Sequence, residues 1–293
     1  MTFAGVMTAL VTPFHADGSL DVDTFRSLAR RQLAAGIRGL VPCGTTGETP
    51  TLTDEEQDTL IRICIEESGG AVPVMAGVGG SDTAAAVRRA VRVVELGVDA
   101  LLVATPPYNK PTQEGLFRHY QAIAESQPDT AVCVYDVPGR TAVAVATSTF
   151  ERLGSIGNIR IIKDATADLA KAAEIRRVVP EGVALLSGDD FTFVPHLAAG
   201  GNGCVSVTSN LVPERIVALY DAWQKGDIAS AIAQNAALQP LHRAMFLQTN
   251  PIPVKTAMAH LGLCGPTFRL PLCEMDAGPR EALIATLASF GIQ

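Results

Sequence analysis

The first unit of the fold reads VMTALV (6–11), DTFRSLARRQLAA (23–35) and GLVPC (39–43). The outer two runs are short and apolar, which is typical of buried strands. The middle stretch is amphipathic, begins at Asp23 and ends just before Gly36, which are common residue types at helix ends. Two buried strands joined by a helix predict a parallel sheet that is covered by helices.

The same alternation continues through the first 210 residues and predicts eight strands. They are Val6–Val11, Gly39–Cys43, Val72–Gly77, Ala100–Ala104, Ala131–Val137, Ile159–Lys163, Val183–Ser187 and Gly203–Val207. Helix starts between them include Thr53-Asp54-Glu55-Glu56 and Ser81-Asp82, the latter opening a stretch that runs to Leu96. Eight such units predict a (β/α)8 TIM barrel. A doubly wound open sheet is the competing layout, but no G-x-G-x-x-G follows any predicted strand.

After Asn210 the strand pattern stops and only helical patterns remain. They cover Pro213–Gln224, Ile228–Leu247, Val254–Leu261 and Pro279–Phe290. We therefore predict a catalytic barrel in residues 1–224 and a C-terminal helical domain in residues 225–293.

Composition excludes several classes of partner. The chain of 293 residues carries a formal charge of −7 and has no basic stripe, so nucleic acid is not an expected partner. No apolar run approaches the ~18 residues of a membrane span, and the six scattered cysteines predict free thiols in a reducing cytoplasm. No histidine or cysteine spacing indicates a metal site. The pair Asp189-Asp190 is expected to cap a helix rather than to bind a metal ion.

Lys163 is one of five lysines and the only one inside an apolar, strand-like run, Ile159–Ala165. Burial disfavours the ammonium form, so the amine would be a usable nucleophile for attack on a ketone. Lys255, in a stretch led by prolines, is expected to be a poor competitor, as are the other three lysines. The alternative is a lysine at a strand end whose amine reaches solvent.

Other candidate residues fall at the same end of the predicted barrel, where TIM-barrel active sites lie. Tyr135 comes late in the fifth strand and could transfer protons, or be an aromatic core residue. The segment Gly44–Glu48 follows the second strand and could hold a carboxylate, or be a simple turn. Arg140 could bind a carboxylate with two hydrogen bonds, or form a surface salt bridge.

Seven motifs, in order, make the chain resemble a known family. They are GTTGET (44–49), PYNKPTQEGLFRHY (107–120), YDVPGRT (135–141), IKDAT (162–166), LLSGDD (185–190), GGNGCVSVTSN (200–210) and NPIPVKTAM (250–258). The resemblance, over nearly the full length, is to the dihydrodipicolinate synthase family, class I pyruvate aldolases related to N-acetylneuraminate lyase. It implies a barrel with C-terminal helices.

The resemblance also implies roles for individual residues. Lys163 would form the Schiff base with pyruvate, with no metal or organic cofactor. Thr45, Tyr135 and Tyr108 would relay protons. In the family this last tyrosine enters the site of a neighbouring subunit, which implies a homodimer or a dimer-of-dimers tetramer.

The substrate contacts follow from the same resemblance. Thr46 would bind the pyruvate carboxylate, and Gly188 and Val205 would line the imine pocket through their backbone. Arg140 would bind the carboxylate of L-aspartate 4-semialdehyde, which implies the synthase reaction that gives 4-hydroxy-tetrahydrodipicolinate, the first committed step of the diaminopimelate route to lysine. The alternative is another lyase or dehydratase of the family that acts on pyruvate and a 2-keto-3-deoxy sugar acid.

Two positions depart from the family pattern. Pro107 stands where the family often has a tyrosine that stacks across the dimer. Ala85 stands where members inhibited by lysine have a glutamate, and residues 49–57 contain no histidine. We therefore expect weak or no feedback inhibition by lysine.

Overall fold

A computed structural model describes residues 2–292 and contains an eight-stranded parallel sheet. Its strands are β1 (Gly5–Ala9), β2 (Gly39–Val41), β3 (Met75–Gly77), β4 (Ala100–Ala104), β5 (Ala131–Asp136), β6 (Ile159–Asp164), β7 (Ala184–Ser187) and β8 (Gly203–Ser206). They are ordered β2-β1-β8-β7-β6-β5-β4-β3, and a parallel bridge between Leu40 and Val74 joins the two end strands. The sheet therefore closes into the predicted barrel.

The helices of the described residues alternate with these strands and then continue past β8. They are α1 (Val22–Ala34), α2 (Asp54–Ser68), α3 (Thr83–Glu95), α4 (Gln113–Ser126), α5 (Pro138–Thr141), α6 (Thr147–Gly154), α7 (Leu169–Val178), α8 (Phe193–Ala198), α9 (Pro213–Gln224), α10 (Ile228–Ala244), α11 (Ile252–His260) and α12 (Ala277–Ser289). The predicted starts of two of them are confirmed. Thr53 and Glu56 form a reciprocal capping box on α2, and the Asp82 side chain caps α3.

Two of the differences from the predicted bounds involve prolines. The strand predicted from Val72 begins only at Met75, because Pro73 has no N–H to donate to a neighbouring strand. The helix predicted from Val254 begins at Ile252, because proline is tolerated in the first helical turn, where Pro253 lies. The helix predicted to reach Leu247 ends at Ala244.

Side chains that alternate along each strand divide the barrel strands into an inner and an outer face. The interior is filled by one apolar cluster: Met7, Ala9, Val41, Met75, Ala100, Leu102, Ala131, Cys133, Tyr135, Val137, Ile161, Leu186 and Val205. Ile161 belongs to this cluster, whereas Ile162 packs outward against the helices. The period of two therefore turns Lys163 inward, toward the barrel axis.

The C-terminal helices pack on the barrel beside β1 and β8. One continuous cluster contains Val6 and Cys204 from these strands together with Leu241, Val254 and Leu283 from α10, α11 and α12. This packing places the α10–α11 loop at the carboxyl ends of the strands. The domain boundary at residue 224 stays a prediction. Within residues 2–292 we find no helix with both the length and the apolar character needed to cross a bilayer.

Candidate active site

A cavity of about 760 Å³ opens at the carboxyl ends of the barrel strands. The predicted site residues that line it are Thr45, Thr46, Tyr135, Arg140, Lys163, Gly188 and Val205. The α10–α11 loop contributes Gln248, Thr249 and Asn250 to one wall. Seven of the eight residues predicted from the sequence are thus brought together around one space.

Lys163 and Tyr135 occupy the same register position on neighbouring strands β6 and β5. The Lys163 Nζ lies 3.9 Å from the centroid of the Tyr135 ring, and the lysine is only 6% exposed. Within residues 2–292 this nitrogen has no hydrogen-bond or ion-pair partner. The Lys163 amine therefore faces the cavity rather than the outer surface of the barrel.

Gly188 leaves room for the lysine side chain. A Cβ at this position would lie 2.7 Å from the Ala165 Cβ and 3.1 Å from the Lys163 Cε, so any larger residue would have to displace the lysine or its neighbour. Only glycine therefore fits this position, directly after β7, without displacing a neighbouring side chain.

The threonine segment forms a 3₁₀ turn, Thr45–Gly47, which is separated from the end of β2 by three residues. Thr46 is buried, and its Oγ1 accepts a hydrogen bond of 3.0 Å from the Asn250 Nδ2. Glu48, in the left-handed region at φ 54°, closes the turn. The hydroxyls of Thr45 and Tyr135 both belong to residues that line the cavity, but in the described chain they are not hydrogen-bonded to each other.

Arg140 lies in α5, the short helix after β5, and one of its Nη atoms donates a hydrogen bond of 3.0 Å to the main-chain O of Asn250. Among the described residues it forms no salt bridge, so the alternative of a surface ion pair is wrong. With four of its five N–H groups uncommitted, the guanidinium can bind an anion in the cavity.

Tyr108 is the one predicted site residue that lies outside the cavity. It is 91% exposed, in the loop after β4, with φ at 74°. A tyrosine in this position does not reach Lys163 of its own chain.

Two acidic residues after β7 have separate roles. Asp189 lines the cavity, caps the following 3₁₀ turn by accepting from the Phe191 N, and has its pKa raised to about 6 by burial. Asp190 is buried and accepts hydrogen bonds from the Ser206 hydroxyl and from the Val207 and Thr208 amides. The capping expected of this pair is confirmed for Asp189, while Asp190 ties the β7 loop to β8.

Sequence reasoning missed a buried ion pair behind the threonine turn. Lys255, dismissed because of its neighbouring prolines, is completely buried, and its Nζ lies 2.6 Å from the Glu48 Oε1. Burial lowers the pKa of Lys255, and the Glu48 carboxylate opposes this shift. The only sign of its importance in the sequence is that Lys255 belongs to NPIPVKTAM, one of the motifs that carry the family resemblance. Its amine is occupied by Glu48, unlike that of Lys163.

Comparison with known proteins gives a consistent result. The model of the dihydrodipicolinate synthetase family matches residues 2–289. The 4-hydroxy-tetrahydrodipicolinate synthase of Gluconobacter oxydans is 47% identical over 98% of this chain and 96% of its own. The structure of dihydrodipicolinate synthase from Thermotoga maritima has a TM-score of 0.97 at 36% identity, with complete coverage of both chains. The enzyme from Acinetobacter baumannii, solved with pyruvate, has a TM-score of 0.97 at 37% identity, again with complete coverage of both chains.

The match therefore extends over the barrel, the C-terminal helices and the strand ends that carry the cavity. The chain belongs to the dihydrodipicolinate synthetase family.

Proposed function

We propose that this chain condenses pyruvate with L-aspartate 4-semialdehyde to give 4-hydroxy-tetrahydrodipicolinate, through an imine on Lys163 and without a metal or organic cofactor. The observation that carries the proposal is the Lys163 amine, which lies in the cavity beside Tyr135 with no partner among residues 2–292. Support comes from the family match and from the pyruvate complex of the Acinetobacter baumannii relative.

The proposed reaction begins when the neutral Lys163 amine attacks the ketone carbon of pyruvate. Loss of water gives a protonated imine, which withdraws electrons and lets C3 lose a proton to form an enamine. The enamine carbon adds to the aldehyde carbon of the second substrate. The amine of that substrate then displaces Lys163 and closes the ring. Covalent catalysis of this kind divides one difficult step into easier ones.

Proton transfer in this scheme belongs to Tyr135, which is the hydroxyl-bearing side chain beside the amine. We assign Thr45 as the next member of the relay and Tyr108 of a second copy of the chain as the last. The 91% exposure of Tyr108 is what delivery into another subunit requires. The active form would then be at least a dimer.

The two carboxylates of the substrates have separate partners in the proposal. Thr46 binds the pyruvate carboxylate, and the backbones of Gly188 and Val205 enclose the imine. Arg140 binds the carboxylate of aspartate semialdehyde, and an unpaired carboxylate there would cost on the order of 2–5 kcal/mol. This selects an anionic amino aldehyde over a neutral sugar aldehyde.

The decisive experiment is a substrate panel. Pyruvate is supplied with aspartate semialdehyde, and cleavage of several 2-keto-3-deoxy acids is measured in parallel. Of these substrates, we expect turnover only of pyruvate with aspartate semialdehyde. Arg140→Ala should raise the KM for the semialdehyde and leave imine formation from pyruvate intact. Faster turnover of a deoxy sugar acid would overturn the assignment of the second substrate.

A further inference from the structure

Asn250 contacts Thr46 and Arg140, the two residues to which the proposed function assigns the binding of a substrate carboxylate. Its side-chain Nδ2 donates to the Thr46 Oγ1 at 3.0 Å, and its main-chain O accepts from Arg140 at 3.0 Å. The residue is 6% exposed, lines the cavity and lies just before α11. One residue of the C-terminal segment thus touches the anion-binding groups of two barrel loops.

The hydrogen bond from Asn250 to Thr46 determines where the Thr46 hydroxyl hydrogen can point. A threonine hydroxyl has one hydrogen to donate and two lone pairs that accept. The Asn250 amide occupies a lone pair, and Thr46 makes no other side-chain hydrogen bond within residues 2–292. The hydroxyl hydrogen is therefore free for an acceptor in the cavity, and a carboxylate is an acceptor only.

We propose that Asn250 is a positioning residue that holds the Thr46 hydroxyl as a donor to the pyruvate carboxylate. This inference rests on the proposed function, because it requires pyruvate in the cavity. Without Asn250 the hydroxyl can rotate, and a lone pair directed at the carboxylate repels it. The expected effect is on pyruvate affinity, while the chemistry at Lys163 is unchanged.

A second contact shows that the same segment fixes the threonine turn from behind. Lys255, five residues after Asn250, binds Glu48, two residues after Thr46, at 2.6 Å inside the protein. The turn is thus held at the Thr46 hydroxyl by Asn250, two residues before α11, and at Glu48 by Lys255 of α11. The main-chain bond to Arg140 does not depend on the Asn250 side chain, so a side-chain substitution tests the Thr46 contact by itself.

The test measures how much pyruvate is needed to trap the imine with borohydride. Hydrogen bonds to charged groups contribute about 1.5–3 kcal/mol, so Asn250→Ala should raise the half-saturating pyruvate concentration roughly tenfold or more. Thr46→Val should have a similar effect. The half-saturating concentration of the double variant should lie within about twofold of that of the more affected single variant, because both changes remove the same interaction.

A matched control separates positioning from loss of structure. Asn158 is another buried asparagine, and its amide donates to the carbonyls of Ala124, Gln127 and Thr130. Asn158→Ala should lower the melting temperature and leave the half-saturating pyruvate concentration unchanged. If Asn250→Ala does not fold, Asn250→Asp replaces it, because a carboxylate of the same shape cannot donate to Thr46.

Three results would overturn the inference. The first is a half-saturating concentration within twofold of the wild-type value in the Asn250 variant that folds. The second is a double variant whose effect equals the product of the two single effects. The third is an equal change in Asn158→Ala. If the wild-type chain forms no adduct at any pyruvate concentration, the proposed function itself has failed, which is a different and recognisable outcome.

Discussion

Lys255 and Glu48 form an ion pair whose two side chains are completely buried, with Nζ and Oε1 2.6 Å apart. The ammonium also lies 4.3 Å from the centroid of the Phe14 ring and 4.9 Å from that of Phe268. The pair connects α11 to the end of the threonine turn. Removal of one partner leaves a buried charge without compensation, whereas removal of both does not.

Lys255→Met should therefore lower the free energy of unfolding by about 3–5 kcal/mol, because the Glu48 carboxylate stays buried without its partner. Combination with Glu48→Gln should recover part of this loss. Lys225→Met, at an exposed lysine after α9, is the control and should change little. Chemical denaturation measures the free energy of unfolding of all three variants. A Lys255→Met variant as stable as the wild-type chain would show that the pair contributes nothing to the fold.

Tyr135→Phe keeps the aromatic ring beside Lys163 and removes only the hydroxyl. General acid–base catalysis contributes about 10²–10⁴-fold, so kcat should fall by at least 100-fold with little change in melting temperature. The control is Tyr220→Phe, which removes a hydroxyl that donates to the main-chain O of Asn202, away from the cavity. Steady-state kinetics give the answer, and a Tyr135→Phe enzyme with more than a tenth of wild-type kcat would remove this tyrosine from the relay.

Gly188→Ala tests whether the lysine needs the space that this glycine leaves. The new Cβ would meet the Ala165 Cβ at 2.7 Å and the Lys163 Cε at 3.1 Å, so Ala165 and the lysine side chain must shift to make room. Misplacement of a reacting group by about 1 Å can cost roughly 100-fold in rate, and we expect imine formation to slow by 10- to 100-fold. Gly182→Ala, whose Cβ would meet no atom within 4 Å, should be silent. Equal rates of imine trapping in the two variants would contradict the steric account.

Burial of His119 should make the free energy of unfolding decrease at acidic pH. Burial lowers its pKa to about 4 from an ordinary value near 6.5, so the unfolded chain binds more protons between these values. Stability is then full above pH 6.5 and falls as the pH drops toward 4. His119→Gln keeps a partner for the Thr83 hydroxyl, 2.9 Å from the His119 Nδ1, and does not titrate.

Between pH 7 and pH 5 the wild-type chain should therefore lose on the order of 2 kcal/mol more unfolding free energy than His119→Gln. The other buried histidines whose pKa burial lowers, His196 and His242, are present in both proteins and cancel in the difference. Urea titrations at the two pH values measure it. Parallel losses in the two proteins would show that His119 is not held neutral.

Much of this site was accessible from the sequence because barrel geometry converts order along the chain into position in space. Lys163 and Tyr135 lie near the carboxyl ends of two strands, and the threonine turn follows a third. The carboxyl ends of parallel strands meet at one rim of the barrel. The inward direction of Lys163 follows from the period of two on β6. These inferences need only the strand pattern.

Asn250 and Lys255 were not accessible in this way. Their contacts with Thr46 and Glu48 bridge more than 200 residues, and no periodicity specifies how α11 packs against the threonine turn. The prolines of the motif NPIPVKTAM even hid the first turn of the helix that carries Lys255. The proposed entry of Tyr108 into the site of a second subunit is likewise not specified by any pattern within one chain.

The most direct test of the central claim is the location of the adduct that borohydride traps from pyruvate. Peptide mass spectrometry should find one reduced adduct per chain, on Lys163, and Lys163→Arg should abolish both the adduct and turnover. A wild-type chain that stays unmodified, an adduct on Lys171 or Lys255 instead, or a Lys163→Arg enzyme with full activity would contradict imine catalysis at this residue.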